Sequence, residues 1–153
     1  QIREDILEYV KYITRDSTLV TSFHHFQMVT EEFVEGIYHY DHHRYICIIY
    51  LSLDPPVDSG TEVCAEDHPQ DNLNTKEIVR RKEEFYKDPH NLIKKYRYAR
   101  VIRKLNSYYN PIIKIPNKFN HCVIFPAGSF HRAQNFFGTS LGSGRLTLVS
   151  FMD

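Results

Sequence analysis

The sequence has no tryptophan, only three cysteines and no excess of charge of either sign. Nineteen lysines and arginines balance nineteen aspartates and glutamates over 153 residues. That balance excludes a chain that binds nucleic acid or membrane through its net charge alone. The longest uninterrupted apolar run, Tyr45 to Leu51, is far short of the ~18 residues a membrane span needs, so no membrane association is expected. Cys47, Cys64 and Cys122 are odd in number and lie in apolar or turn-like surroundings. Free thiols in a reducing, intracellular and cytoplasmic setting are expected rather than a disulfide framework. No internal repeat or low-complexity tract interrupts the chain. Its length fits one domain, residues 1–153, since domains cluster at ~100–200 residues. Opening at Gln1 rather than Met, it is expected to be an excised domain or a processed product.

What is present is ordinary for a globular chain: 42% hydrophobic and 25% charged residues, with eleven tyrosines and ten phenylalanines. Nine histidines are the chemical excess. Residues 1–15 read as an amphipathic helix, with Ile2, Ile6, Leu7, Val10 and Ile13 on one stripe. From Leu19 the pattern turns to short β-type segments: Leu19–Thr30, Gly36–Asp41, Tyr45–Leu51, Ile112–Ile115, His121–Phe125, His131–Phe137 and Arg145–Met152. Breaker clusters such as Asp54-Pro55-Pro56, Pro126-Ala127-Gly128 and Gly142-Ser143-Gly144 separate them. The middle differs. Asn74 with Glu77 reads as a helix cap, Lys76–Lys87 lacks strand alternation, and Asp88-Pro89 opens a second helix to about Leu105. This helical insert, at about 74–106, carries eleven basic against four acidic residues between Lys76 and Lys104. The expected fold is a compact all-β core with a helical lead-in and a basic helical insert.

Chemistry concentrates at Tyr38-His39-Tyr40-Asp41. In a strand, residues i and i+2 share a face, so His39 and Asp41 can present an imidazole and a carboxylate side by side. Those are two-thirds of the facial triad that holds non-haem Fe(II) and leaves positions open; a surface cluster of no function is the plain alternative. His131 supplies a candidate third ligand. It follows the apolar run Cys122–Phe125 and the turn Pro126-Ala127-Gly128. Arg145 then leads an apolar strand with Thr147 on its own face. A guanidinium there wants a fixed anion, either a bound carboxylate ligand or an internal acidic side chain.

His-x-Asp, a long gap, His, then Arg-x-Thr resembles the iron(II)/2-oxoglutarate-dependent dioxygenase superfamily, prolyl-hydroxylase-like branch. The resemblance covers roughly residues 24–153. Tyr45–Ser52 is similar to the strand after the first two ligands, and Ser59-Gly60-Thr61-Glu62 to the family's Gly-Gly-Thr/Glu turn. Val123-Ile124-Phe125-Pro126 resembles the approach to the distal histidine, and Arg145–Asp153 the closing strand. The resemblance implies a mainly β fold, a double-stranded β-helix (jelly-roll) barrel with helices packed beside it. It implies His39, Asp41 and His131 as catalytic iron ligands, with Arg145 gripping the distal carboxylate of 2-oxoglutarate. Tyr50 matches a position where relatives set a hydroxyl on that carboxylate, and Thr147 could add another.

The activity implied is hydroxylation of a C–H bond in a peptide, amino acid or small polar substrate. Fe(II), 2-oxoglutarate and O2 are consumed or used, and succinate and carbon dioxide released. Asp41 favours hydroxylation or oxidative demethylation over halogenation, because related halogenases lack that carboxylate. The nucleic-acid demethylase branch has a second arginine six residues after the first, where this chain has Phe151.

The basic insert lies between the segment with the first two ligands and the strand leading to the third, where it could cover the mouth of the site. Arg80, Arg81, Lys94, Lys95, Arg97, Arg100, Arg103 and Lys104 could attract an anionic partner, nucleic acid included, or form a solvated face. A non-catalytic cupin-like metal barrel is the other alternative, although cupins usually read His-x-His with a following Glu.

Overall fold

Helix and strand share this chain almost equally. The computed structural model describes residues 2–64 and 75–153, of which 32% are helical and 30% strand. The expectation of a mainly β chain is therefore corrected to a mixed fold of helices and antiparallel sheets. In order come α1 (Ile2–Thr14), β1 (Thr21–Val29), β2 (Tyr45–Tyr50), β3 (Thr61–Cys64), α2 (Thr75–Tyr86) and α3 (Leu92–Asn106). Then follow β4 (Pro111–Ile115), β5 (Cys122–Pro126), β6 (His131–Ala133) and β7 (Arg145–Met152). Single 3-10 turns occupy Glu31–Phe33 and Val57–Ser59. The strands form a four-stranded sheet, β1-β7-β2-β5, and a three-stranded sheet, β4-β3-β6. All pairings are antiparallel, and the described strands close no barrel.

The near-continuous apolar run of β2 is explained by cover on both faces. Ile46, Ile48 and Tyr50 point to the inner core with Phe125 and Val149. Cys47 and Ile49 point the other way, to α1, where Val10, Leu19 and Met152 are buried. Only Ile6, Leu7 and Val10 of the expected helical stripe pack there; Ile2 and Ile13 stay exposed. Fully burying one such side chain contributes ~1.5–3 kcal/mol, enough for three contacts to seat the helix. The three cysteines are free thiols, with Cys47 Sγ 3.2 Å from Cys122 Sγ across β2 and β5.

Three sequence-based elements need correction, the first being the strand expected at His131–Phe137, which ends at Ala133. Gly36–Asp41 is not a strand; it runs irregularly with isolated bridges at Glu35–Asn135 and His39–His131. Conversely, Thr61 and Glu62, read as part of a turn, belong to Thr61–Cys64, the central strand of the second sheet, which is wholly buried.

The insert is two helices. Asn74, the expected first cap, lies outside the described residues. The second helix begins at Leu92, not at Pro89, because the Asn91 side chain accepts the amides of Ile93 and Lys94 and so caps it. Asp88 instead accepts from Lys94 Nζ at 3.0 Å. Phe85, Tyr98 and Ile102 pack on Phe33 and Ile37, while Leu105 and Tyr109 pack with Tyr38 and Phe130. The insert thus braces the segment that leads into His39. Several of its charges pair locally, Arg81 with Glu77 and Glu84, and Arg103 with Glu35. No described helix is long and apolar enough to cross a membrane.

Candidate metal centre

His39 and Asp41, two residues apart in one irregular segment, meet His131 from the start of β6. The meeting depends on backbone bonds rather than on a strand. His39 N–H donates to His131 O at 3.0 Å, and His131 N–H to His39 O at 2.9 Å. Asp41 N–H donates to Ala127 O at 2.9 Å. Close approach of the two chains needs Gly36, where a Cβ would stand 2.4 Å from the carbonyl oxygen of Ala133. Asp41 Oδ2 lies 3.7 Å from His39 Nε2 and 3.4 Å from His131 Nε2. One donor atom from each residue falls within 4.8 Å of the others.

Hydrogen bonding fixes which nitrogens face inward. His39 Nδ1 sits 2.8 Å from Ile37 O, and His131 Nδ1 2.9 Å from Ser129 O. A carbonyl only accepts, so each Nδ1 carries a hydrogen and each ring turns its Nε2 toward Asp41. Asp41 Oδ2 is buried and has no hydrogen-bond partner among the described residues. With both rings neutral, three lone-pair donors converge, an arrangement that repels itself unless a cation, a metal ion or a proton on one Nε2, stands between them. The second-nitrogen bonds to carbonyls are those that orient histidine ligands at metal sites. Contact with His131, then His39, holds the Asp41 carboxyl below its ordinary pKa against the opposing effect of burial. Partial burial, then the adjacent His131, lowers that of His39, although 54% of its side chain remains exposed.

A cavity of about 180 Å³ opens beside the triad. Both sheets line it: Ile46, Ile48, Arg145, Thr147 and Val149 from the first, Thr61, His131 and Ala133 from the second. The alternation on β7 that puts Arg145 and Thr147 on one face is as expected from period two. Arg145 is 2% exposed. Its Nε donates to Ser59 O at 2.8 Å and its Nη2 to Gly60 O at 3.4 Å, and no carboxylate lies within ion-pair distance among the described residues. Burial lowers its pKa, opposed by the nearby Tyr50. Thr147 Oγ1 is buried without a hydrogen-bond partner among the described residues.

The remaining expected residue, Tyr50, is fully buried but not on the cavity wall. It stands opposite Thr147 in register and donates its hydroxyl to Thr61 Oγ1 at 2.8 Å. Thr61 is the residue on the wall. Sequence reasoning missed it, together with Phe136 and the aromatic stack of His25 on Phe23 at 4.9 Å and on Phe151 at 6.2 Å. His25, not His24, faces the cavity, and His43 is held at the surface by Asp153.

Behind the site lies a different polar cluster. Tyr38 and Arg132, which adjoin the two histidines in sequence, both bind Glu62 Oε2, at 2.7 and 2.8 Å. Gln134 and Lys114 reach Glu62 Oε1, and Arg132 also bonds Glu35. Burial alone would raise the Glu62 pKa; the bonds from Tyr38 and Arg132 overturn that and bring it down to about 2.

No protein-family model matches this chain, and no curated protein matches it.

Proposed function

We propose that the protein is an Fe(II)- and 2-oxoglutarate-dependent oxygenase that hydroxylates a C–H bond. The observation that carries this reading is the buried Arg145, with no carboxylate within ion-pair distance among the described residues, in a cavity that the metal-type triad also lines. An uncompensated guanidinium in the interior is costly, and an anionic ligand in the cavity relieves it. A dicarboxylate fits best, because one end can meet Arg145 and Thr147 while the other reaches the triad. Two antiparallel sheets around one cavity suit the jelly-roll architecture proposed with this function.

The donor set fits iron. Two neutral imidazoles and one carboxylate on one side leave the opposite positions open, and an unpartnered Asp41 Oδ2 awaits a cation. When bound, the metal and 2-oxoglutarate supply the oxidising power for C–H hydroxylation, with succinate and carbon dioxide as co-products. The chain's own residues hold and orient. The carbonyls of Ile37 and Ser129 keep both imidazoles in the ligating tautomer. Arg145, itself fixed by Ser59 and Gly60, sets the register of the dicarboxylate. The apolar floor of Ile46, Ile48 and Val149 keeps water from the reacting end.

Succinate release from 2-oxoglutarate in the presence of Fe(II) tests the proposal. Turnover is expected in the native chain and its loss in Asp41→Ala, with the circular dichroism spectrum retained. Turnover surviving in D41A, or absent from the native chain under all substrates tried with Fe(II) bound, would overturn it.

A further inference from the structure

A second cavity, of about 610 Å³, opens outward from the first. The two share Gln27, Gly36, Ile37, His39 and Phe136, so His39 stands at the neck between them. The outer wall of this cleft is built by Phe33 and by Lys82, Tyr86 and Tyr98 of the helical insert. Its volume is that of pockets which enclose small organic ligands.

Charge in the cleft is one-sided. Glu35, the acidic residue on its wall, is already engaged by Arg132, by Arg103 at 3.4 Å and by Asn106 at 3.2 Å. The Lys82 ammonium lies 5.5 Å from the centre of the Tyr86 ring and has no carboxylate within ion-pair distance among the described residues. Apart from Gln27 and His39 toward the neck, the remaining walls are aromatic or aliphatic: Phe33, Phe136, Ile37, Val29 and Met28 join the two tyrosines. One unopposed cation in an aromatic cleft selects an amphipathic anion.

We propose that this cleft binds the body of the substrate, a small organic acid that joins an aromatic or branched apolar group to a single carboxylate. The apolar group lies against Phe33, Tyr86 and Phe136, the carboxylate meets Lys82, and the remainder passes the neck at Gly36 and His39 toward the triad. This substrate class rests on reading the inner cavity as the reaction centre, but binding in the cleft is measurable without turnover.

The chain has two methionines, which gives a direct test. Met28 lines the cleft, and Met152 is buried under α1 on the far side of the sheet. With ¹³C-methyl methionine in the full chain, N-acetyl-L-phenylalanine is titrated against its uncharged amide. The expected result is movement of the Met28 methyl signal with Met152 still, and binding of the acid about fivefold tighter than the amide, the size of a half-exposed ion pair. Lys82→Gln is expected to erase that preference, whereas Lys87→Gln, an exposed lysine outside the cleft, keeps it. A silent Met28, equal binding of acid and amide, or an unchanged preference in K82Q would overturn the proposal. Methyl shifts without succinate release would overturn the oxygenase reading alone, and succinate release with a silent Met28 the cleft alone.

Discussion

Two buried polar clusters stand back to back on β6, and they are built on opposite rules. On one side of the strand, Arg132 lies between Glu62 and Glu35, and Tyr38, Gln134 and Asn106 complete their bonds. On the other, His131 joins a group in which, among the described residues, Asp41 Oδ2 and Thr147 Oγ1 have no hydrogen-bond partner and Arg145 has no anion. Native interiors leave few polar atoms unpaired. A cluster that is satisfied within the chain needs nothing further; one that is not satisfied asks for a ligand. The first cluster fixes the backbone on which the second is displayed, since Tyr38 precedes His39 and Arg132 follows His131.

The sharpest way to break this comparison is to remove the arginine from each cluster. Arg132→Met leaves Glu62 and Glu35 buried without their shared cation, and one-sided removal of a buried partner costs ~3–5 kcal/mol. In a chain of this length that lowers Tm by on the order of 10 °C. Arg145→Met removes a charge that no carboxylate compensates, at the loss of two bonds to carbonyls, so stability is expected to change by less than ~1 kcal/mol. Binding of 2-oxoglutarate, measured by calorimetry, is expected to fall below detection in that variant. Urea unfolding of the two variants side by side checks the contrast; equal destabilisation would erase it.

Acid sharpens the same distinction. The Glu62 pKa falls from 4.5 in the unfolded chain to about 2 in the fold. A depressed folded pKa contributes stability that is complete above the unfolded value and is lost as pH falls toward the folded one. Between pH ~4.5 and ~2 the chain is therefore expected to lose ~2–3 kcal/mol through this residue. Glu62→Gln should be less stable at pH 7 and show a flatter profile over that window. A wild-type slope retained in the variant would assign the acid sensitivity elsewhere.

The sequence made the triad legible because its signal is chemical: residue types and their order survive without any knowledge of the path between them. Arg145 and Thr147 were legible because β7 is a regular strand, and period two places them on one wall. The route taken by residues 36–41 was not. Its conformation is set by bonds to His131 and Ala127, some ninety residues away, and no local period encodes those. β3 was hidden by Glu62, a carboxylate that argues against a buried strand until Arg132 is brought beside it by the fold. Tyr50 was placed on the correct face but behind Thr61, because inward direction alone does not say which side chain reaches the cavity first. The helices were legible, but strand was overestimated for a related reason: residues 36–41 and 134–137 have strand-like composition but run as irregular chain.

The smallest effect tests the comparison most finely. Thr147 is fully buried on β7, between Gln27 of β1 and Tyr50 of β2 in register, and its hydroxyl has no partner. In a satisfied cluster, replacing a hydroxyl by a methyl removes a bond and destabilises. Here Thr147→Val removes only an unsatisfied oxygen, and the shape is nearly kept. An unpaired buried hydroxyl costs ~1–3 kcal/mol, part of which a cavity water would already recover, so the variant is expected to be more stable by up to ~1 kcal/mol. The gain should reverse on adding 2-oxoglutarate, because the native hydroxyl then has a carboxylate to donate to and the valine does not. Thermal unfolding of both proteins with and without the dicarboxylate reads this sign change directly. A valine variant that is less stable in both conditions would place Thr147 among the structural residues, on the same footing as Tyr38 and Asn106.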